Sequence, residues 1–545
     1  MPSTSNRACS LFASFFILLL AQPDFSPLAS ILAAILGYAL FFKAALGLHS
    51  KRARFLLALG WFFLIQMVHL SWFTADRYVG IYIYPVYLFL CLWFSLQFAI
   101  LTLFVKAARE LTLLRILAIC SFWALSEWSR LYFLSGFSFN PSGLALTATL
   151  LGMQALSVGG IFALSFWVML TNLLVYKYSS LPFKTIRWGA VALVALMPYL
   201  YGGAHLAYHQ GRMQAHADNF SVLLVQTALN PEQKVAYTPE DSPLSPWEQW
   251  DKILSMLKPF AKQPIDFILF PEATVPYGAN YRIYQRQLVE KYLANFFEYP
   301  LYTAKAYEER VGNRFWAQNL ANFFDTSVII GLEDAEFTET EVAPTIYNAA
   351  FVLSPFSDEN QRYEKRVLVP MGEYIPFAWC KKILLKYGIR DSYERGREAK
   401  VFETERAALG ISICYEETFG HLMRQNRLKG ADLLVNLTND VWYPRSRLPY
   451  VHYLHGRMRS VESGIPLIRA CNTGVTCGID SLGRTVGMLE FDCGKQCSSA
   501  GVCHLQLSGY HYSTLYTYFG DWLILFISLF FVFLWIILRF SKLTD

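Results

Sequence analysis

Long apolar blocks alternate along the sequence with stretches of mixed composition. Residues 1–205 consist of apolar blocks with few charges, residues 215–510 mix polar and apolar positions, and residues 520–539 are apolar again. A helix of about 20 apolar residues crosses a bilayer, so the pattern predicts a membrane protein with a large extramembrane part. The apolar blocks lie at 10–22, 27–47, 55–74, 81–105, 112–134, 147–176, 187–204 and 520–539.

These blocks divide the chain into three predicted parts. Residues 1–215 form a membrane domain with about seven transmembrane helices, residues 216–510 form an extramembrane domain, and residues 511–545 hold a last transmembrane helix and a short tail. The block at 10–22 is short, so the apolar core of a signal peptide is an alternative to a first transmembrane helix there.

Basic residues are concentrated in alternate loops between the blocks. The loops at 73–80 and 135–143 hold one basic residue and none, whereas the loops on either side of them are basic. Cytoplasmic loops carry an excess of Lys and Arg, so we expect cytoplasmic termini and an extracytoplasmic domain at 216–510. The basic loop and tail residues are Lys51, Arg52, Arg54, Lys106, Arg109, Arg115, Lys177, Lys184, Arg187, Arg539 and Lys542.

Short β-prone runs alternate with helical stretches in the extramembrane part. The runs are continuously apolar, which is typical of strands buried on both faces, and strands mixed with helices indicate an α/β layered sandwich. Helices are predicted at 245–261 and 281–297. Strands are predicted at 221–228, 266–273, 327–334, 347–355, 409–416, 431–440, 466–474 and 475–483.

Three chemically distinctive side chains fall in this part of the sequence. Glu272 ends the strand of "DFILFPEA", Cys414 ends the strand of "LGISICYE", and Lys365 lies in "RYEKRVLVPMGEYIPF". Sites in layered α/β folds form where strands run out into loops. There a carboxylate can take the thiol proton, an amine can stabilise an oxyanion, and a thiolate can attack an acyl carbon.

Each of these residues also has an ordinary structural interpretation. A Glu after a strand-ending Pro is commonly a solvated strand end, a lone Lys commonly lies at the surface, and a buried Cys commonly packs as a small hydrophobe. Spacing alone therefore leaves both interpretations open.

The surrounding motifs favour the chemical interpretation. "FPEATVP", "YEKRVLVPMGEYIPF" and "ISICYEETF" together resemble the Glu–Lys–Cys signature of the nitrilase superfamily, and the long string after the Lys resembles the apolipoprotein N-acyltransferase family within it. Further matches are "NLTNDVWY" at 436–443, "HYLHGRMRSVESGIPLIRACNTG" at 452–474 and "EWSRLYFLSGFSFNPSG" at 127–143.

The resemblance implies a fold and a set of roles. It implies a multi-span α-helical membrane domain joined to an α/β nitrilase-type domain, an α-β-β-α sandwich. Glu272 is then the general base, Lys365 stabilises the tetrahedral intermediate, and Cys414 forms an acyl thioester. Glu373, Tyr415 and Glu416 match supporting positions.

The resemblance also implies substrates and a location. The donor is a membrane phospholipid, commonly phosphatidylethanolamine, and the acceptor is the α-amino group of diacylglyceryl-cysteine at an apolipoprotein's N-terminus. The implied location is the bacterial inner membrane, with the catalytic domain on the periplasmic side. No metal, organic cofactor or nucleic-acid partner is expected.

Some positions depart from the family's pattern. Val235 stands where the family usually has Trp, and Tyr443 and Pro444 stand where it usually has Phe-Gly. These departures concern substrate handling rather than chemistry. Near the end of the domain, Cys493, Cys497 and Cys503 are compatible with a disulfide, with free thiols or, beside His504, with zinc.

Two other functions share parts of this pattern. A membrane-tethered nitrilase-type amidase would use the same triad, but it gives no reason for so large a membrane part. A non-enzymatic transport or scaffolding protein would give no reason for an intact triad.

The charge pattern yields a prediction of topology. A reporter that is active only outside the cytoplasm, fused near residue 300, should be active because the basic loops are cytoplasmic. Activity of a cytoplasm-only reporter at the same position would contradict this orientation.

Overall fold

A helical part and an α/β part make up the molecule. The computed structural model describes residues 4–48, 50–216, 218–234, 236, 241–298, 308–336, 344–359, 361–385, 392–490 and 499–544.

Ten helices precede the first strand among the described residues. Ser26, Ser50 and Thr112 each cap a helix by accepting a hydrogen bond from a backbone N–H three residues further on. A π-helical turn, Ala33–Gly37, joins α2 to α3. The helices are α1 (Thr4–Leu19), α2 (Pro27–Leu32), α3 (Tyr38–Ala45), α4 (Lys51–His69), α5 (Ile83–Phe104), α6 (Leu113–Ser129), α7 (Leu144–Thr147), α8 (Leu150–Met153), α9 (Leu156–Ser179) and α10 (Thr185–Ala215).

Helices occupy all eight predicted apolar blocks. Within the described residues, five are long and apolar enough to cross a membrane. Of the other three, α1 and α6 have only 16 and 17 residues and α4 begins with a basic turn, so a full crossing by these three stays a prediction. The five are Pro27–Ala45, Ile83–Phe104, Leu156–Ser179, Thr185–Ala215 and Trp522–Arg539.

Two helix boundaries differ from the predicted ones. The helix predicted from residue 147 begins at Leu156, after the short α7 and α8, and Gly160 near its start has φ +70°, a conformation that favours glycine. An added Cβ there would lie 2.4 Å from the ring of Tyr516. Helix α10 continues to Ala215 rather than ending at 204, so it extends beyond the apolar block through the more polar residues 205–215.

The α/β part contains strands and helices in alternation. Its strands are β1 (Asn219–Gln226), β2 (Phe267–Leu269), β3 (Tyr284–Gln285), β4 (Arg310–Val311), β5 (Ser327–Glu336), β6 (Thr345–Leu353), β7 (Gln361–Glu364), β8 (Val401–Glu403), β9 (Ala408–Ile413), β10 (Leu433–Thr438), β11 (Leu467–Cys471), β12 (Cys477–Ile479), β13 (Thr485–Met488) and β14 (Gly501–Ser508). Its helices are α11 (Pro231–Lys234), α12 (Pro246–Leu257), α13 (Arg286–Phe297), α14 (Asn313–Phe324), α15 (Lys381–Leu384), α16 (Gly420–Leu428) and α17 (Leu448–Ser463).

Two six-stranded sheets face each other. The first has the order β14-β1-β2-β5-β6-β7 and the second β13-β12-β11-β10-β9-β8. The centre of each is parallel, through β1, β2 and β5 in one and β9, β10 and β11 in the other. Parallel strands place their carboxyl ends at one edge of a sheet, which is where sites form in such folds.

Apolar layers hold the sheets and helices together. Val222, Leu224, Ile411, Val435 and Ile468 belong to the core between the two sheets. Helices α12 to α14 pack on the outer face of the first sheet, and α16 and α17 pack on that of the second. The predicted α-β-β-α sandwich is therefore confirmed.

The strand predictions were incomplete at the edges. All eight predicted strands are present, and the structure adds β3, β4, β7, β8, β13 and β14. These six are short or lie at sheet edges, where continuous apolar runs are not required. The helix predicted from residue 281 begins at Arg286, because Tyr284 and Gln285 pair with β4.

Strand β14 contains one of the clustered cysteines. Cys503 is buried on this strand, opposite Leu224 of β1. Cys493 and Cys497 lie outside the described residues, so the disulfide stays a prediction. After β14 the chain forms α18 (Leu515–Phe519) and the apolar α19 (Trp522–Thr544).

A buried ion pair joins the two parts of the molecule. Arg447, just before α17, donates from Nε and from its second terminal nitrogen to the two carboxylate oxygens of Asp24, at 2.6 and 2.7 Å. Asp24 lies between α1 and α2, and both side chains are nearly buried, at 11% and 5% exposed. The guanidinium also donates to the carbonyl of His69 and lies over the ring of Phe25.

Arg447→Ala should destabilise the protein strongly. It leaves the Asp24 carboxylate buried without its partner, which costs about 3–5 kcal/mol of unfolding free energy. Arg406→Ala is the matched control, because Arg406 pairs with Asp218 and Asp266 at the surface and such pairs contribute below about 1 kcal/mol. Unfolding experiments on the two detergent-solubilised variants measure the loss of unfolding free energy in each. Equal losses in the two variants would contradict the structural role of Arg447.

Candidate active site

Cys414 lies in a strained turn at the end of β9. It begins a short 3₁₀ helix, Cys414–Thr418, and has φ +52°, which is uncommon for a residue other than glycine. Backbone strain of this kind is found at functional sites, where surrounding contacts must maintain it. The structure thus places the predicted nucleophile on a sharp strand-to-helix turn.

Glu272 lies in the turn that follows β2. Its carboxylate oxygen Oε1 accepts a hydrogen bond from Asn348 Nδ2 at 2.7 Å and another from Lys365 Nζ at 3.1 Å. Gly331 on β5 lets this turn approach closely, since an added Cβ there would lie 2.7 Å from the Cα of Glu272. The side chain is therefore buried and held from two sides.

Lys365 directly follows β7 and is 1% exposed. Its Nζ donates to Glu272 at 3.1 Å and to Oε1 of Glu373 at 2.8 Å. Burial alone would lower the pKa of Lys365, but these two carboxylates raise it well above its usual range. The two carboxylates therefore favour the ammonium form of Lys365.

The site contains a neutral thiol. Burial, together with the negative charge of Glu272, raises the pKa of Cys414 well above its usual range, although Lys365 opposes this. Burial also raises the pKa of Glu272, and Lys365 opposes that shift too. A thiol beside a carboxylate of raised proton affinity is suited to proton transfer from sulfur to oxygen during attack on a carbonyl.

Glu373 holds the lysine in place from the other side. Besides Lys365, its carboxylate accepts hydrogen bonds from Asn348 Nδ2 at 2.9 Å and from the backbone N–H of Val369 at 2.8 Å. Asn348 therefore bridges the carboxylates of Glu272 and Glu373. Sequence reasoning missed Asn348 because it lies inside β6, where the strand pattern gives no sign of a buried polar contact.

Glu416 connects the nucleophile's strand to the lysine's segment. Its carboxylate accepts hydrogen bonds from the backbone N–H groups of Ile413, Arg366 and Val367, at 2.9, 2.6 and 3.0 Å, and from the hydroxyl of Tyr363 at 2.8 Å. Each of these donors directly precedes Cys414 or flanks Lys365. The predicted supporting residue thus contacts both sides of the site.

Tyr415 contacts the membrane part of the molecule. Its hydroxyl donates to the carbonyl of Gly136 at 3.0 Å, and its ring stacks on Phe139 with centroids 5.6 Å apart. Both partners lie in the loop between α6 and α7, inside the matching string at 127–143. Beside them, the hydroxyls of Ser138 and Thr418 are 2.5 Å apart.

One departure from the family's pattern, Tyr443, lies at the junction of the two parts of the molecule. Tyr443 packs edge-on against Trp72 and Phe73 of the membrane part, at 5.4 and 5.9 Å between ring centroids. Val235 lies outside the described residues. Its neighbour Lys234 donates to the carbonyl of Ala273 at 2.6 Å, next to Glu272, and burial lowers the pKa of Lys234 to about 8.

Two family models match the chain. The Carbon-nitrogen hydrolase model matches residues 229–503, and the model of the Apolipoprotein N-acyltransferase N-terminal domain matches residues 15–174. The two matches correspond to the α/β part and to most of the membrane part.

Curated relatives match over nearly the whole length. The "Apolipoprotein N-acyltransferase" of Chlamydia pneumoniae is 36% identical over 525 residues, which is 93% of each chain. The protein of the same name from Chlamydia caviae is 34% identical over 543 residues, which is 96% of each chain.

Solved structures are more distant. Nit3 of Saccharomyces cerevisiae, a member of branch 10 of the nitrilase superfamily, is 14% identical and covers 56% of this chain and 94% of its own, with a TM-score of 0.36. A carbon-nitrogen hydrolase from Helicobacter pylori G27 is 15% identical and covers 54% of this chain and 90% of its own, with a TM-score of 0.35. These likenesses are too weak to carry an argument about the site.

Lys365→Arg should abolish activity although it keeps the charge. The planar guanidinium does not fit the place of an ammonium held between two carboxylates. The motif resemblance implies that Lys365 is an oxyanion donor, and loss of such a donor costs on the order of a hundredfold or more in rate. Lys400→Arg is the matched control, because Lys400 pairs with Glu364 at 2.6 Å while remaining a third exposed. Steady-state acylation assays compare the two, and near-normal turnover by Lys365→Arg would exclude Lys365 from the chemistry.

Proposed function

The chain belongs to the apolipoprotein N-acyltransferase family, and on this premise we propose the reaction that its residues carry out. An acyl chain passes from a membrane phospholipid, in our proposal phosphatidylethanolamine, to the α-amino group of diacylglyceryl-cysteine at the N-terminus of an apolipoprotein. The observation that carries the proposal is the cluster of Glu272, Lys365 and Glu373 together with the strained Cys414, whose pKa is raised by burial and by the charge of Glu272 and lowered by the charge of Lys365.

In the first half-reaction, Cys414 becomes acylated. The carboxylate of Glu272 takes the thiol proton while the sulfur attacks the ester carbonyl of the phospholipid, and Lys365 stabilises the resulting oxyanion. The intermediate collapses, the ester C–O bond breaks, and Glu272 returns the proton to the departing oxygen. A lysophospholipid leaves and a thioester remains on Cys414.

In the second half-reaction, the lipoprotein's α-amine attacks the thioester. The amine proton passes through Glu272 to the departing sulfur, an amide forms, and Cys414 is again a thiol. Donor and acceptor use the same site in turn, so ping-pong kinetics are expected. The thioester must resist hydrolysis between the two steps, which requires a site that excludes water.

The junction of the two parts supports this use of the site. Both substrates carry acyl chains, and extracting them from lipid would lose about 0.8 kcal/mol per CH₂ group. Tyr415, next to the nucleophile, stacks on Phe139 of the membrane part, so the chains can stay beside the membrane helices while the ester reaches Cys414. We further propose that the catalytic domain spans residues 216–510 on the periplasmic side and that both termini are cytoplasmic.

Cys414 should carry an acyl chain after exposure to phospholipid alone. Without an acceptor the first half-reaction stops at the thioester, so the mass of the intact protein should rise by one acyl group, and hydroxylamine should remove the added mass. Cys414→Ala should show no adduct because it lacks the sulfur.

Cys503→Ala serves as the matched control. Cys503 is a buried cysteine of the same α/β part, on β14, and its loss should leave the adduct unchanged. An adduct of equal mass on Cys414→Ala would contradict the proposal, and hydrolysis of amides without transfer to a diacylated lipopeptide would favour the amidase alternative.

A further inference from the structure

A cluster of four buried charged or ionisable side chains lies next to Cys414, and one of its members contacts the Cys414 backbone carbonyl. Its members are Glu417, Asp440, His452 and Arg469, and none is more than 4% exposed. They come from the turn after β9, the turn after β10, helix α17 and strand β11. Buried charges persist only when they are paired and hydrogen-bonded, so each contact in the cluster constrains the protonation of its neighbours.

The ring of His452 lies between hydrogen-bond acceptors on both sides. Its Nδ1 is 2.8 Å from Oδ1 of Asp440, and its Nε2 is 3.2 Å from the backbone carbonyl oxygen of Cys414. The same Nε2 lies 3.1 Å from Oε1 of Glu417. A neutral imidazole has one N–H and one lone pair, so it would turn its lone pair towards one of these oxygens.

The protonation state of His452 depends on two of these oxygens, the carbonyl oxygen of Cys414 and Oδ1 of Asp440, and both lack a proton. A backbone carbonyl can only accept. The Asp440 carboxylate also accepts, because its other oxygen, Oδ2, lies 3.4 Å from a terminal nitrogen of Arg469, and a guanidinium is always a charged donor. Two donors are therefore needed from His452, and only the imidazolium form has two.

A cation at His452 also balances the charges of the cluster. Arg469 donates from Nε to Glu417 at 2.7 Å, and one of its terminal nitrogens lies 3.4 Å from Oδ2 of Asp440. One guanidinium cannot neutralise two buried carboxylates, whereas a guanidinium and an imidazolium together can.

We propose that His452 is held as a buried imidazolium and acts as a positioning residue for the nucleophile, because it fixes the Cys414–Tyr415 peptide by donating to the Cys414 carbonyl. The proposal rests on the role of Cys414 given above. Asn436 Nδ2 donates to the same oxygen at 3.2 Å, so two side chains hold this peptide plane. The peptide is planar and trans, and fixing its carbonyl towards the cluster also fixes its N–H in the opposite direction.

The strained turn explains why such a residue is needed. Cys414 has φ +52°, and a conformation of this kind costs of order 1–3 kcal/mol unless its surroundings determine it. A charge-assisted hydrogen bond to the carbonyl is about twice as strong as a neutral one. Without it the turn can relax and move the sulfur away from its attacking position, and a displacement of about 1 Å can cost on the order of a hundredfold in rate.

His455 on the same helix provides an internal contrast. It is buried like His452, but burial and the positive charges of Arg459 and His452 lower the pKa of His455 well below its usual range. Its ring packs edge-on against Phe139 rather than between two carboxylates. Two histidines three residues apart are therefore expected in opposite charge states, with Asp440 and Glu417 as the anions and Arg469 as the other cation around His452.

The charge state can be measured directly. In the full-length protein labelled with ¹⁵N-histidine, one histidine should keep both ring nitrogens protonated at about pH 8.5, about two pH units above the usual histidine pKa of ~6.5. This signal should be absent from His452→Gln or, if that variant does not fold, from His452→Asn. A spectrum of the wild-type protein without any doubly protonated histidine at this pH would overturn the proposal, whatever the variants do.

The positioning role is tested by the rate at which Cys414 becomes acylated from phospholipid without an acceptor. His452→Gln should lower that rate on the order of a hundredfold while the apparent KM for phospholipid changes less than about threefold. His455→Gln is the matched control, because it removes a buried histidine from the same helix, and it should stay within about threefold of the wild type. Thermal unfolding of both variants distinguishes general destabilisation of α17 from a specific loss of the acylation rate of Cys414.

The possible outcomes remain distinct. Equal acylation rates for His452→Gln and the wild type, or equal losses in His452→Gln and His455→Gln, overturn the positioning role. If the wild-type protein forms no acyl adduct, the proposed function fails, and the ¹⁵N spectrum still decides whether His452 is an imidazolium.

Discussion

The carboxylate of Glu416 holds together the segments on which the rest of the site depends. One of its oxygens accepts from the backbone N–H groups of Arg366 and Val367, and the other accepts from the N–H of Ile413 and from Tyr363. These segments belong to different sheets, since β7 is in the first and β9 in the second. A single buried anion thus keeps the thiol and the ammonium in one geometry, and its four donors satisfy the requirement that a buried charge be fully hydrogen-bonded.

Much of the fold was predictable from the sequence because its central strands are buried on both faces. Continuous apolar runs such as 221–228 and 431–440 have few alternatives to a buried strand. The edge strands β8 and β13 were missed because a short strand with a half-exposed face leaves no such run. The helices of the membrane part were predictable because a helix that crosses lipid requires an uninterrupted apolar stretch of about 20 residues. The limits of α9 and α10 were not, because they depend on packing and on polar residues beyond the apolar block.

The candidate site was only partly predictable. Glu272, Lys365 and Cys414 were candidates from their chemistry and position, and motif resemblance favoured their catalytic interpretation and added Glu373, Tyr415 and Glu416. Asn348 and His452 could not be found in this way. Asn348 lies within a strand and His452 within a helix, and each matters through contacts with residues that are distant in the sequence. Tyr415 illustrates a further limit, because its contact with Gly136 is visible only when both parts of the molecule are folded together.

The length of α10 has a mechanical consequence for the enzyme. At 1.5 Å per residue, its 31 residues extend about 46 Å, whereas the hydrocarbon core of a bilayer is about 30 Å thick. The length of α10 therefore exceeds that thickness; the helix leads into β1, and the chain passes from β14 through α18 into α19. The α/β part is therefore attached to long apolar helices at both of its ends. A domain with two such attachments moves less freely than one with a single attachment, so its thiol stays within a narrow range of distances from those helices.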